Sequence, residues 1–200
     1  MGREAAVPES IGTLECETIH RGFETVDAML KTARVSILAA SPVPPGRFLI
    51  VVGGPVAEVD SAWRRGLELA GPLHDRLFLP EVHPAVLDAL RFRELEEEVD
   101  TLGLFETASV GAVLDGADRG AKGSGARLLR LHLTKGIAGK AFGLFSGRQD
   151  SVEAALAMAE ERGRAHGRWV GATLLARPDA LLVRHVLREP WGFMEGSEIL

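Results

Sequence analysis

The sequence predicts an α+β fold: a ferredoxin-like α/β sandwich present twice in tandem, each copy an antiparallel sheet with helices packed on it. Three observations predict it. The chain repeats itself at a spacing of 91 residues, each copy runs through strand-like and helix-like patterning in the same order, and Pro/Gly-rich turns fall at matching places.

Ile11-Gly-Thr-Leu-Glu-Cys-Glu-Thr-Ile19 returns as Leu102-Gly-Leu-Phe-Glu-Thr-Ala-Ser-Val110, so Gly12 meets Gly103 and Glu15 meets Glu106. Both segments predict a first strand. Ile19, Phe23, Val26 and Leu30 follow at spacings of four, three and four, the apolar stripe of an amphipathic helix, and Val110, Leu114, Ala117 and Ala121 repeat it. Asp27 and Lys31 return as Asp118 and Lys122. Polar positions thus recur in register with apolar ones.

Next comes a pair of β-rich runs around a Pro/Gly turn, 35–40 with 48–52 in the first copy and 128–133 with 141–145 in the second. Across this turn the offset grows from 91 to 93, since Gly46, Gly54 and Val59 pair with Gly139, Gly147 and Val152. The second copy has gained two residues, which predicts a longer turn. A second helix is predicted over 56–70 and 151–164, with Pro55 at the first helical position and Asp150 or Ser151 as the cap. A short strand and a last helix close each copy. The domains predicted are residues 10–92 and 101–190, joined by a linker at 93–100 within the charge-dense run Arg91–Asp100, with a loose tail at 195–200.

With 23 Lys and Arg against 28 Asp and Glu, the net charge of -5 excludes a general nucleic-acid binder, which needs a cationic surplus. Cys16, the single cysteine, has no internal disulfide partner, and a reducing, cytoplasmic setting is expected. No run approaches the roughly 20 apolar residues of a membrane span, so no membrane is expected as a partner.

The doubled order of these motifs resembles the bacterial microcompartment (BMC) shell domain in its tandem, trimer-forming, unpermuted version. The carriers are the Gly-x-x-Glu strands at Gly12 and Gly103, the helix ends Asp27-Ala-Met-Leu-Lys31 and Asp118-Arg-Gly-Ala-Lys122, and the turns Pro42-Val-Pro-Pro-Gly-Arg47 and Thr134-Lys-Gly-Ile-Ala-Gly-Lys140. The resemblance implies a structural protein and not an enzyme. Each domain is then one sixth of a hexagon, and three chains close a homotrimer that meets other shell proteins, hexamers and pentamers, laterally. It also implies a place in the shell of a microcompartment in the cytoplasm.

In such a tile the turns between the second and third strands converge on a central pore, here Pro44, Pro45, Gly46 and Arg47 with Lys135, Gly136, Ile137, Ala138, Gly139 and Lys140. The prolines stiffen the first turn and the glycines loosen the second. Arg47, Lys135 and Lys140, repeated threefold, are expected to favour anionic small-molecule metabolites. Lys31 and Lys122 match the family's rim lysines and Arg177 its edge arginine, with His83 as the first-copy counterpart of Arg177. Some tandem relatives hold an iron-sulfur cluster through a cysteine in the first pore turn. Pro44 stands there in this chain, so no cofactor and no metal are implied.

Other chemistry finds little support. Glu15 and Glu106 recur as one strand position, which favours a structural role over paired catalysis. No two of the six histidines show the i, i+4 spacing of a helical metal pair. The segment Gly136-Ile-Ala-Gly-Lys140-Ala141 lacks the Ser or Thr of a phosphate loop and precedes a strand. Trp63 and Trp169 are expected in the core, and Trp191 against a neighbour. The alternative function is a ligand-binding or regulatory trimer with duplicated ferredoxin-like domains.

Overall fold

The computed structural model describes residues 8–90, 99–134 and 136–188. They form two units, divided between Val82 and His83.

In the first unit β1 (Ser10–Cys16) is followed by α1 (Ile19–Thr32), β2 (Ser36–Val43), β3 (Arg47–Gly54), α2 (Val56–Leu69) and β4 (Leu73–Leu79). The sheet is antiparallel in the order β2-β3-β1-β4. The central strand β1 is buried at every position. Under it lie Leu14, Cys16, Met29, Phe48, Ile50, Val52, Val59 and Ala62, with Trp63 packed on them and donating its indole N–H to the Thr13 carbonyl at 3.2 Å.

The inward face of α1 is not the stripe the spacing predicts. Gly22, Thr25 and Met29 are buried, while Ile19, Phe23 and Leu30 are exposed. Close approach decides it: a Cβ at Gly22 would stand 2.3–2.4 Å from Phe48 Cβ and Cγ, so only glycine lets the helix sit on that ring. Gly66 of α2 does the same over Leu14, where a Cβ would lie 2.5 Å away.

The second unit contains α3 (Pro84–Leu90), β5 (Thr101–Thr107), α4 (Val110–Gly123), β6 (Arg127–Leu133), β7 (Ala141–Gly147), α5 (Gln149–Ala165), β8 (Trp169–Ala176) and α6 (Ala180–Arg188). Its sheet has the same topology, β6-β7-β5-β8. Even the irregularities repeat. The register shifts at Glu15/Cys16 and Ile37/Ala39 return at Glu106/Thr107 and Leu128/Arg130, both 91 residues on. Phe105 stacks between Phe145 and Trp169. Leu102, Leu129 and Leu144 form another cluster with Val183 and Leu187 of α6, and buried Arg130 donates to the Leu187 carbonyl at 2.7 Å.

Several boundaries differ from expectation. Helix α3, the last element of the first repeat by sequence, groups with the second unit and packs on β6 and α4. Helix α5 begins at Gln149, with Arg148 and not Asp150 or Ser151 at the cap, and Pro55 sits one residue before α2. Strand β2 continues to Val43 through Pro42, which an edge strand tolerates. Residues 91–98, which take in 93–98 of the expected linker, Trp191 and the tail at 195–200 lie outside the described residues.

One polar cluster of the second unit has no counterpart among the described residues of the first. Buried Asp115 of α4 accepts from Arg162 Nε of α5 at 2.8 Å and lies 3.1 Å from His166 Nε2. Its counterpart in the first repeat, Glu24, is exposed and pairs with Arg21. Burial pushes the Asp115 carboxyl up, but the hydrogen bonds and charges of His166 and Arg162 outweigh it and hold the group below the ordinary carboxylate value. A depressed folded-state pKa adds stability that is present above the unfolded value, about 3.9, and is lost as pH falls through the folded value. Asp115→Asn is therefore expected to cost about 1–3 kcal/mol at pH 7. In urea titrations its deficit against the wild-type chain should shrink below about pH 4, and a deficit independent of pH would contradict the role assigned to the charge.

Candidate functional site

The β2–β3 hairpin turns in three residues, Pro44, Pro45 and Gly46, between Val43 and Arg47. Gly46 has φ +107° and its N–H donates to the Val43 carbonyl at 3.0 Å, a close that needs a residue tolerant of positive φ. All three turn residues are exposed, and the Pro44–Pro45 bond is cis.

The corresponding β6–β7 turn is longer, and the two added residues fall inside it. Thr134 N–H donates to the Lys140 carbonyl at 3.0 Å, where Val43 pairs with Arg47 in the first unit. Within that frame Ile137 N–H reaches the Thr134 carbonyl and Lys140 N–H the Ile137 carbonyl, at 3.2 and 3.1 Å. Backbone φ is positive at Thr134, Gly136, Ala138 and Gly139. The turn is thus organised by its own hydrogen bonds, with two non-glycine residues held left-handed. Lys135 lies outside the described residues.

Arg47 and Lys140, the cations beside the turns among the described residues, each have a carboxylate neighbour. Arg47 is mostly buried, with Nε 3.5 Å from Glu17 Oε2, and His74 Nδ1 approaches the other oxygen of Glu17 at the same distance. Lys140 Nζ lies 2.7 Å from Glu106 Oε1. Glu106, read from sequence as structural, ties the second turn to β5. Glu17 escaped the sequence reading because its counterpart is Ala108, so the repeat carries no signal for it.

The residues expected at a rim form two unequal sets. Lys31 Nζ pairs with Asp27 at 2.6 Å on an open face, and Lys122 Nζ with Asp118 at 2.7 Å. Asp27 is 62% exposed but Asp118 only 7%, and Asp118 Oδ1 also accepts the His83 N–H at 2.7 Å. Arg177 is exposed, with φ +48°, and its N–H donates to the Asp100 carbonyl at 2.7 Å. The equivalent bond in the first unit runs from Val82 to the Glu9 carbonyl at 2.9 Å. By hydrogen bonding, then, the counterpart of Arg177 is Val82, and His83 stands one residue beyond.

Two four-stranded sheets with one order, shared bulges and equivalent turns define the domain, and the BMC domain matches residues 10–82 and 101–178. This chain belongs to the BMC family. It is 36% identical over 180 residues to the bacterial microcompartment shell protein PduT of Citrobacter freundii, covering 90% of this chain and 98% of that protein. Over 64 residues, 32% of the chain, it is 33% identical to the carboxysome shell protein CcmK2 of Synechococcus elongatus, of which that stretch covers 63%. The crystal structure of a microcompartment protein from Desulfitobacterium hafniense superposes with TM-score 0.79 at 35% identity, over 89% of this chain and 99% of that one. A fused permuted hexameric shell protein of the RMM microcompartment shares the fold, with TM-score 0.56 at 15% identity over 78% and 81% of the two chains.

The unequal rim sets of this BMC chain yield a stability test. Asp118→Ala leaves a partly buried N–H of His83 without its acceptor and should cost about 1–3 kcal/mol. Asp27→Ala removes only an exposed pair and should stay within about 0.5 kcal/mol. Chemical denaturation of the two variants checks the ordering, and equal losses would refute it.

Proposed function

We propose that this chain is a structural shell protein of a bacterial microcompartment, not an enzyme, and that it assembles as a homotrimer into a pseudohexagonal tile with a central pore. The observation that carries the reading is the repetition of one wedge-sized domain, bulge for bulge, within one chain. Two near-equivalent wedges per chain make six from three chains, and a cyclic contact closes such a ring. The shell-protein names of two relatives support the same assignment. Its setting is then the microcompartment shell in the bacterial cytoplasm, with other shell proteins, hexamers and pentamers, at its sides.

Lateral assembly is the test. The rim pairs Lys31–Asp27 and Lys122–Asp118 sit at corresponding helix ends, and a tile uses them to meet its neighbours. The purified chain should form hexagonal particles that extend into sheets or tubes at high concentration, visible by electron microscopy. Lys31→Ala with Lys122→Ala should suppress the sheets and leave the trimer intact. A discrete trimer that never tiles and binds one specific ligand would favour a regulatory protein instead.

In this reading the pore is lined by Pro44, Pro45, Gly46 and Arg47 alternating with Lys135, Gly136, Ile137, Ala138, Gly139 and Lys140. Arg47 and Lys140 share their charge with Glu17 and Glu106, which moderates the preference for anionic metabolites expected of Arg47, Lys135, Lys140 and the backbone N–H groups of the second turn. Lys135→Glu with Lys140→Glu should reduce the flux of small anions into assembled shells. Glu106→Gln, which leaves Lys140 uncompensated, should raise it, and fluxes unmoved by both would exclude electrostatic selection.

A further inference from the structure

The first turn has a pair of ionisable neighbours that the second lacks. At the end of β1 the register shifts: Glu15 pairs with Asp75 and Cys16 with Leu73, so His74 is the extra residue of a bulge in β4. A bulge re-aims the side chain it adds. Here His74 Nδ1 comes to 3.5 Å from Glu17 Oε1, while Arg47 Nε stands 3.5 Å from Glu17 Oε2. The Glu17 N–H donates to the Pro72 carbonyl at 3.2 Å, so the backbone itself holds Glu17 beside the start of β4.

The second unit keeps this backbone and changes both side chains. The Ala108 N–H donates to the Arg168 carbonyl at 2.7 Å in place of the Glu17 bond, and Val170 is the extra residue of the matching bulge, since Glu106 pairs with Gly171 and Thr107 with Trp169. Ala108 and Val170 thus stand where Glu17 and His74 stand. The cation of the second turn, Lys140, meets Glu106 at 2.7 Å. Arg47 is held more loosely, its buried Nε making no hydrogen bond and approaching Glu17 only to 3.5 Å.

The charge of the first cluster follows from His74. With the imidazole neutral, Glu17 balances Arg47. With it protonated, one carboxylate faces two cations, and each chain gains a net positive charge beside its first turn. The His74 and Arg47 side chains are only 10% and 17% exposed, so water and salt screen that change incompletely. Imidazole is the side chain whose ordinary titration falls between about pH 5 and 8. Asp75, Arg76 and, across the ladder, Glu15 are the other ionisable groups at this end of β1 and β4, and a substitution at His74 separates its effect from theirs.

We infer that His74 sets a pH-dependent charge on the first turn: as pH falls, the ring takes up the Glu17 charge that otherwise balances Arg47, and the passage of small anions increases. The inference rests on the pore reading and deepens it with a residue that stands behind the lining.

Methanesulfonate, which stays anionic over this range, and neutral dimethyl sulfone of similar size test it by their fluxes into shells assembled with this chain at about pH 7.5 and 5.5. The anion-to-neutral flux ratio should rise about two- to tenfold on acidification at low salt. His74→Gln, with circular dichroism to show that the fold is kept, should hold the ratio near its value at the higher pH, and Glu17→Gln should already be raised there. A His74→Gln chain whose ratio still rises in acid would overturn the role of His74 and leave the pore standing. So would a wild-type ratio that ignores pH while Lys135→Glu with Lys140→Glu still lowers it. A ratio unmoved by pH and by those lysine substitutions alike would overturn both.

Discussion

The central strand of each sheet is the constraint on which the rest depends. β1 is hydrogen-bonded on both sides, to β3 and to β4, and is buried at every position. Its register therefore fixes where the β2–β3 hairpin ends and where the chain leaves β4. A one-residue slip would turn Leu14 and Cys16 away from the helices and bring Thr13 and Glu15 under them, a change that a strand buried on both faces resists strongly. The bulge at Glu15/Cys16, repeated at Glu106/Thr107, bends the strand end where Glu17 and its neighbours approach the turn. Turn, rim and core are thus placed by one ladder.

Helix packing on that ladder uses absence of side chain as much as presence. Gly22 and Gly66 bring α1 and α2 down onto Phe48 and Leu14, and in the second unit Gly116 and Gly120 bring α4 against Ala159 and the Phe145 ring. This explains what the sequence made legible and what it did not. The topology could be read because strand alternation, turn composition and the 91-residue echo all point the same way. The inward face of α1 could not, because glycine and threonine carry no apolar signal, and the most apolar stripe of the helix is the one left bare. Spacing alone locates the two-residue gain in the turn, and the hydrogen bond from Thr134 to Lys140 encloses it.

Reading a repeat by its echo has a blind side, which is whatever the copies do not share. Glu17 has Ala108 as its counterpart, and the Asp115, Arg162 and His166 cluster has no equivalent among the described residues of the first unit. The sequence pairing of His83 with Arg177 slipped by one residue for a related reason. The connections after β4 and β8 differ in length, so the His-Pro and Arg-Pro dipeptides resemble each other in sequence while the backbone bonds align Arg177 with Val82. The placement of α3 was illegible for a different cause. A short apolar helix after a strand carries no mark of which sheet it will lie on, and tertiary packing decides.

Joining two copies in one chain frees each from the other. In a ring of six identical subunits every change is made six times, and a longer turn or a buried carboxylate must suit all six positions. In a tandem chain the copies can differ, and these do. One turn has three residues closed by Gly46, the other a self-bonded loop with four left-handed positions. One rim aspartate is solvated, and the other is held by the His83 N–H. Lengthening a turn costs little loop entropy, roughly 0.6 kcal/mol for each doubling. Such divergence is therefore energetically slight, while it changes the lining of any opening those turns surround. The shared ladder keeps the two domains alike, and the turns and helix ends can depart from it because the sheet does not constrain them.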